Sequence, residues 1–167
     1  MSQRSLHIIR HGKSSWDFEN LSDIDRPLSP RGVDNAYLMA GKLAGRKVVP
    51  DLLLTSPANR ALYTATIFAR IMKVPFDRLR ISEGIYDAGT DDLIALIRKQ
   101  EASVTHLLLF GHNPAFTSLA NSLMDQYIEN IPTAGIVSLE YDTGDWNGIG
   151  KTAPVKHFFD YPRRYSS

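Results

Sequence analysis

Apolar runs and helical stripes alternate along this chain, with polar turns between them. Leu6-His7-Ile8-Ile9 predicts a first strand over Ser5 to Arg10. A polar loop from Trp16 to Leu28 follows. Ser29 then has the chemistry of an N-cap, with Pro30 at the first helical position. Val33, Ala36, Tyr37, Ala40, Leu43 and Ala44 recur at helical spacing, and Gly45 suits the helix end. The consecutive leucines of the second strand, Asp51 to Thr55, predict burial on both faces, as in a parallel sheet.

Ser56-Pro57 repeats the cap-and-start signal before a stripe of Ala58, Ala61, Leu62, Ala65, Phe68, Ala69 and Met72. Arg60 falls in the first turn, off that stripe. Leu79 to Ser82 predicts a short strand, and Thr90 a cap for a helix ending near Arg98 and Lys99. His106 to Phe110 predicts another strand. Asn113-Pro114 gives the third cap-and-start signal, ahead of Phe116, Leu119, Ala120 and Leu123. Late strands are expected over Gly135 to Tyr141 and Val155 to Phe159. Strand and helix alternate, which predicts a three-layer α/β/α sandwich with a mostly parallel central sheet and one antiparallel edge strand. The chain of 167 residues fits one domain, 1–167.

Composition narrows the function classes. The net charge of +1 provides no global field for nucleic acid or anionic lipid, so neither is an expected partner. Tyr161-Pro162-Arg163-Arg164-Tyr165 reads as a solvated tail. With no cysteine, disulfides, thiolate metal sites and a cysteine nucleophile are excluded. No apolar stretch is long enough to cross a membrane. Met1-Ser2-Gln3-Arg4 leads into the first strand without a signal-peptide core, and a cytoplasmic location is expected.

The chemistry sits at three strand ends. Arg10-His11-Gly12 ends the first, Ser56-Pro57 leads to Arg60 after the second, and Gly111-His112 ends the fourth. In open α/β sheets ligands bind beyond the carboxyl ends of the strands. Parallel neighbours would bring two arginines and two histidines to one spot, which suits a phosphoryl group. The arginines would repel a divalent metal, so no metal ligand and no cofactor is expected. His11 is the candidate nucleophile: a neutral imidazole attacks phosphorus, and water later cleaves the phosphohistidine. Arg10 and Arg60 would stabilise the equatorial oxygens and disfavour the imidazolium form of His11. Gly12 would let the backbone approach phosphate. His112 reads as a further oxygen ligand, protonated when phosphate is bound. Ser14 either donates to phosphate or caps the turn, and Asn113 joins the candidate substrate contacts. An alkoxide leaving group needs an acid, with Glu83 first, Asp87 second and Asp17 third; an imidazole leaving group demands less.

These motifs resemble the histidine phosphatase superfamily, also called phosphoglycerate-mutase-like, over most of the chain. Arg10-His11-Gly12 is similar to its nucleophile motif. Ser56-Pro57-Ala58-Asn59-Arg60-Ala61 with Thr64-Ala65 is similar to its second-arginine motif, and Gly111-His112-Asn113-Pro114 to its second-histidine motif. Within that superfamily the chain resembles the short SixA-type phosphohistidine phosphatases. The stretches that carry this are Arg10 to Ser14, Asp25-Arg26-Pro27-Leu28-Ser29-Pro30-Arg31-Gly32 and Pro132-Thr133-Ala134-Gly135. The resemblance implies a two-step phosphatase using His11, with Arg10, Arg60 and His112 on phosphate. The chain departs from the mutase pattern: Lys13 replaces an acidic residue, Asp17 stands where mutases carry Asn, and little length remains for a substrate-enclosing insertion.

Each residue also has a structural reading. Lys13 reads as a solvated rim charge, and Arg26, Arg31 and His7 as structural. The expected partner is a phosphate-bearing substrate, a phosphohistidine-carrying protein by the resemblance. Nothing in the sequence demands more than a monomer. The alternatives are a small-molecule phosphomonoesterase with the same mechanism and a phosphate-binding module without turnover. The complete set of Arg10, His11, Arg60 and His112 argues against the last.

Overall fold

The computed structural model describes residues 3–166. Met1, Ser2 and Ser167 lie outside the described residues, so the reading of the first two as part of a leaderless start is not addressed. The elements are β1 (Arg4–Arg10), α1 (Pro30–Gly45), β2 (Leu52–Thr55), α2 (Asn59–Met72), β3 (Leu79–Ile81), α3 (Thr90–Arg98), β4 (His106–Gly111), α4 (Ala115–Leu123), β5 (Ile136–Tyr141) and β6 (Lys156–Asp160). The sheet order is β3-β2-β4-β1-β5-β6. β3, β2, β4 and β1 pair in parallel, β5 runs against β1, and the edge strand β6 joins through antiparallel pairing to β5.

Strand periodicity divides the core between the two faces. Leu6 and Ile8 of β1 pack on one face with Leu107 and Leu109 of β4, beneath Leu93 and Ile97 of α3 and Phe116 and Leu119 of α4. Ile9, Leu53, Leu108 and Phe110 pack on the other with Ala36, Met39, Ala40 and Leu43 of α1 and Ala65 and Phe68 of α2. These are the three expected layers. The buried Leu52-Leu53-Leu54 run follows from cover on both faces.

Helix starts agree with the sequence at α1 and shift elsewhere. The Ser29 side chain accepts from the Gly32 amide at 3.0 Å, with Pro30 first in the helix. Ser56-Pro57 does not start α2, which begins at Asn59. Ser56 Oγ accepts from the Ala58 amide at 3.1 Å and turns the chain before the helix. Thr90 is the first residue of α3 and not its cap, and the Asp92 carboxylate reaches back to the Gly89 amide. The terminal arginines are not a free tail either. Pro162–Tyr165 forms a 3-10 turn with Pro162 buried, and the Tyr165 hydroxyl donates to Asp160 at 2.8 Å.

Candidate active site

The order β2-β4-β1 places the three chemistry-bearing strand ends side by side. Arg10 pairs with Gly111, and Thr55 with Phe110. The His11 amide donates to the Gly111 carbonyl at 3.1 Å, and the Ser56 amide to Phe110 at 3.0 Å, so the ladder continues into the site. Across the other edge of β1, the Ala134 amide is shared by the carbonyls of Arg10 and His11, at 3.1 and 3.0 Å. Ala134 reaches them from a left-handed conformation, φ 61°.

His11 is buried, and its Nδ1 lies 2.6 Å from the Gly12 carbonyl. A carbonyl only accepts, so Nδ1 carries the hydrogen and Nε2 keeps its lone pair. Burial, more than any neighbour, pushes the ring's pKa down to about 3. His112, Arg60 and Arg10 push the same way, and the Gly12 carbonyl opposes them. His11 is therefore neutral near pH 7. Burial outranks the arginines expected to achieve this.

The His112 ring centroid is 5.2 Å from that of His11. Its Nε2 is 2.8 Å from Ser56 Oγ, while its Nδ1 is buried without a partner. Burial, then Arg60, lowers this ring to about 4. Arg10 donates to the Ile131 carbonyl at 2.9 Å, leaving its buried Nε without a partner. Arg60, in the first turn of α2, is buried. It donates to the Asp23 carbonyl at 2.7 Å and to the Asp23 carboxylate at 2.9 Å.

That carboxylate is the centre of a network. It accepts from the Tyr86 hydroxyl at 2.5 Å and from Arg26 at 3.1 Å as well as from Arg60. The Tyr86 bond and then the Arg60 and Arg26 bonds hold its pKa down at about 2, against partial burial. The Tyr86 ring stands edge-on to His112 at 5.6 Å. Thr64 ties the Arg10-His11-Gly12 turn to α2: its hydroxyl accepts from the Gly12 amide at 3.0 Å and donates to the Arg60 carbonyl at 2.8 Å.

Several expectations are revised by this geometry. The Gly12 amide is taken by Thr64 and its carbonyl by His11. A Cβ at Gly12 would stand 2.7 Å from the Gly32 carbonyl oxygen, so the absent side chain serves close approach of α1, not of phosphate. The Asn113 side chain is committed to Asn130, Ile131 and Thr117, which removes it from the free phosphate donors. Ser14 accepts from Arg26. Glu83 is exposed, just past the carboxyl end of β3, and its side chain makes no hydrogen bond among the described residues. Asp87 and Asp17 are likewise exposed. Sequence reasoning passed over Asp23 and Tyr86, and it quoted Ser56 and Thr64 in a motif without giving either a place in the site. The one available hint was Asp23 three residues before Arg26 in the polar loop.

Comparison with known proteins bears on the family and the fold. A family model described as histidine phosphatase superfamily (branch 1) matches residues 6–83. An uncharacterized protein of Mycobacterium tuberculosis is 30% identical over 165 residues, covering 93% of this chain and 100% of that one. An uncharacterized chloroplastic protein of Arabidopsis thaliana is 43% identical over 151 residues, 86% of this chain and 69% of its own. Among solved structures, the protein histidine phosphatase SixA complexed with tungstate superposes with a TM-score of 0.75 at 25% identity, covering 97% of this chain and 99% of that one. The SixA protein of Nakamurella multipartitia superposes at 0.81 with 19% identity, covering 97% and 98%. A mycobacterial glucosyl-3-phosphoglycerate phosphatase superposes at 0.63 with 16% identity, covering 96% and 98%.

Proposed function

The chain belongs to the histidine phosphatase superfamily, and from that premise we propose that it is a metal-independent phosphatase acting on phosphohistidine in a protein, through a covalent intermediate on His11. His11 Nε2 attacks phosphorus, forming an N–P bond as the substrate's N–P bond breaks. The substrate's imidazole, protonated from solvent on its other ring nitrogen, leaves neutral. Water then attacks phosphorus, the His11 N–P bond breaks, and phosphate departs. Arg10 and Arg60 stabilise charge on the equatorial oxygens, and His112 contacts a further oxygen. Gly12 and Thr64 position His11, and Ser56 positions His112.

The observation that carries the phosphohistidine reading is the state of Asp23. It is the carboxylate bonded to Arg60, and its three donors keep it ionised. An alkoxide leaving group needs an acid that still holds its proton near neutral pH. Asp23 does not hold one. An imidazole leaving group, protonated on its other ring nitrogen, demands less of such a residue. The second reading is cleavage of small phosphomonoesters, with Glu83 as acid; its place at the carboxyl end of β3, three residues before Tyr86, favours it.

A panel of phosphohistidine protein and small phosphoesters, run on wild type, His11→Ala and Glu83→Gln, tests the assignment. Wild type is expected to prefer phosphohistidine, and His11→Ala to lose both turnover and acid-labile phosphate on the enzyme. Glu83→Gln is expected to spare phosphohistidine cleavage. Ester turnover far above phosphohistidine turnover, lost in Glu83→Gln, would replace this reading with the second.

A further inference from the structure

Beside the strand ends lies a cleft of about 350 Å³ lined in part by Lys13, Arg31, Asn35, Pro132, Thr133 and Arg163. It adjoins the site through the backbone. Lys13 lies two residues past His11. Pro132 and Thr133 lie between Ile131, whose carbonyl holds Arg10, and Ala134, whose amide holds the end of β1. Arg31 stands in the first turn of α1. The 3-10 turn Pro162–Tyr165 delivers Arg163, anchored by the Tyr165–Asp160 bond and by Lys42 Nζ 4.1 Å over the Tyr165 ring.

The charge in this cleft is unbalanced. Lys13, Arg31 and Arg163 are exposed, and none forms an ion pair among the described residues. Other arginines nearby are paired, Arg164 with Asp160 at 3.4 Å and Arg26 with Asp23. Asp34, one turn along α1 from Arg31, does not line the cleft and forms no ion pair among the described residues. The first turn of α1 holds no acid. A cation there works against the helix dipole, so Arg31 adds positive potential where the backbone already supplies it.

We infer that this cleft is an anion subsite that takes carboxylate side chains flanking the phosphohistidine on the protein substrate. The inference rests on the phosphohistidine reading and deepens it. Carboxylates on a protein surface fit better than a second phosphate on a small molecule, because the three cations end long, exposed stems. A small oxyanion is best held by fixed, buried donors, whereas a protein surface needs a complementary field.

Two peptides carrying N-phosphohistidine, identical except for Glu or Gln at flanking positions, test it. At low salt the wild-type kcat/KM is expected to be about 10-fold higher for the Glu peptide, mostly through KM, with the ratio approaching one near 0.5 M salt. Arg31→Glu/Arg163→Glu is expected to abolish the preference while leaving p-nitrophenyl phosphate turnover unchanged. Arg31→Gln/Arg163→Gln serves the same end if the reversal fails to fold. Equal hydrolysis of both peptides by wild type, or a preference that survives both variants, overturns this inference alone. So does an advantage for a small bisphosphate over a monoester that the variants remove, without any Glu preference. Hydrolysis of neither peptide, with the ester turned over, overturns the phosphohistidine reading and this inference with it.

Discussion

Acidification is expected to unfold this protein through its buried neutral histidines. His7 and His11 are 4% and 8% exposed, and burial is the main cause holding each at about 3. His106 and then Arg46 add to the effect at His7. In the unfolded chain both return to about 6.5. A folded value below the unfolded one means that the unfolded chain binds the proton first. Stability is then complete above about pH 6.5 and falls as the pH drops through the window toward about 3. At about pH 5 each histidine costs about 2 kcal/mol. Together they cost about 4 kcal/mol, a large part of the roughly 5–15 kcal/mol typical of a domain. His112, lowered by burial to about 4, acts in the same direction. Asp23 and Asp51 are held below the ordinary carboxylate value, so their contribution is lost only as the pH falls through that value, beneath the range from pH 7 to pH 5. Urea unfolding followed by fluorescence of the buried Trp146 would measure stability between about pH 7 and pH 5. The expected slope is about 1.4 kcal/mol per pH unit for each histidine below the midpoint. His7→Asn should remove one proton's share of that slope. A wild-type slope below one proton's share, or a slope that His7→Asn leaves unchanged, would refute the reasoning.

Other outcomes follow from single contacts. Thr64→Val leaves the buried Gly12 amide without its acceptor; it should cost about 1–3 kcal/mol in thermal or urea unfolding and lower kcat more than it changes KM. In Gly111→Ala the new Cβ would stand 2.4 Å from the Phe116 ring and 3.0 Å from Ile85; a melting-temperature loss matching about 1–3 kcal/mol is expected, and an unchanged melting temperature would contradict that packing. Asp23→Asn removes the anion that competes for Arg60, so inorganic phosphate should inhibit the variant more tightly than wild type; weaker inhibition would mean that Asp23 serves to aim Arg60. Arg60→Ala should lower turnover on the order of 100-fold, and chelators should leave the wild-type rate unchanged.

Long-range order was readable where periodicity and burial agree. The run Leu52-Leu53-Leu54 announces a strand covered on both faces, and the stripe on α1 lies against the sheet as its spacing requires. The placement of Arg10, His11, Arg60 and His112 at neighbouring strand ends follows from parallel pairing, which the alternation of elements implies. What stayed hidden depends on side chains meeting across long separations. Asp23 and Tyr86 belong to segments with no periodic signal, and only the fold brings 23, 60 and 86 together. Helix caps were misjudged at Ser56 because a serine before a proline can bond the amide two residues on without starting a helix. The glycine at 12 was assigned to phosphate because its actual neighbour, the Gly32 carbonyl, lies on another element.

The Asp23–Arg60 ion pair follows from the same burial that keeps His11, the proposed nucleophile, neutral. Removing water from the site keeps the imidazole neutral, and it also strengthens every charge interaction there. A buried guanidinium without an anion is costly, so the empty enzyme needs an internal one. Asp23 fills that role at Arg60, whereas Arg10, less deeply buried, has the Ile131 carbonyl. Asp23 is suited to giving way because Arg60 is only one of its three donors. Arg26 bonds one carboxylate oxygen, while Tyr86 shares the other with Arg60. If phosphate takes Arg60, the carboxylate still keeps two donors and remains charged. A carboxylate held this way does not also hold a proton near neutral pH, so the ion pair and the proposed preference for a leaving group that demands less of an acid have one physical origin.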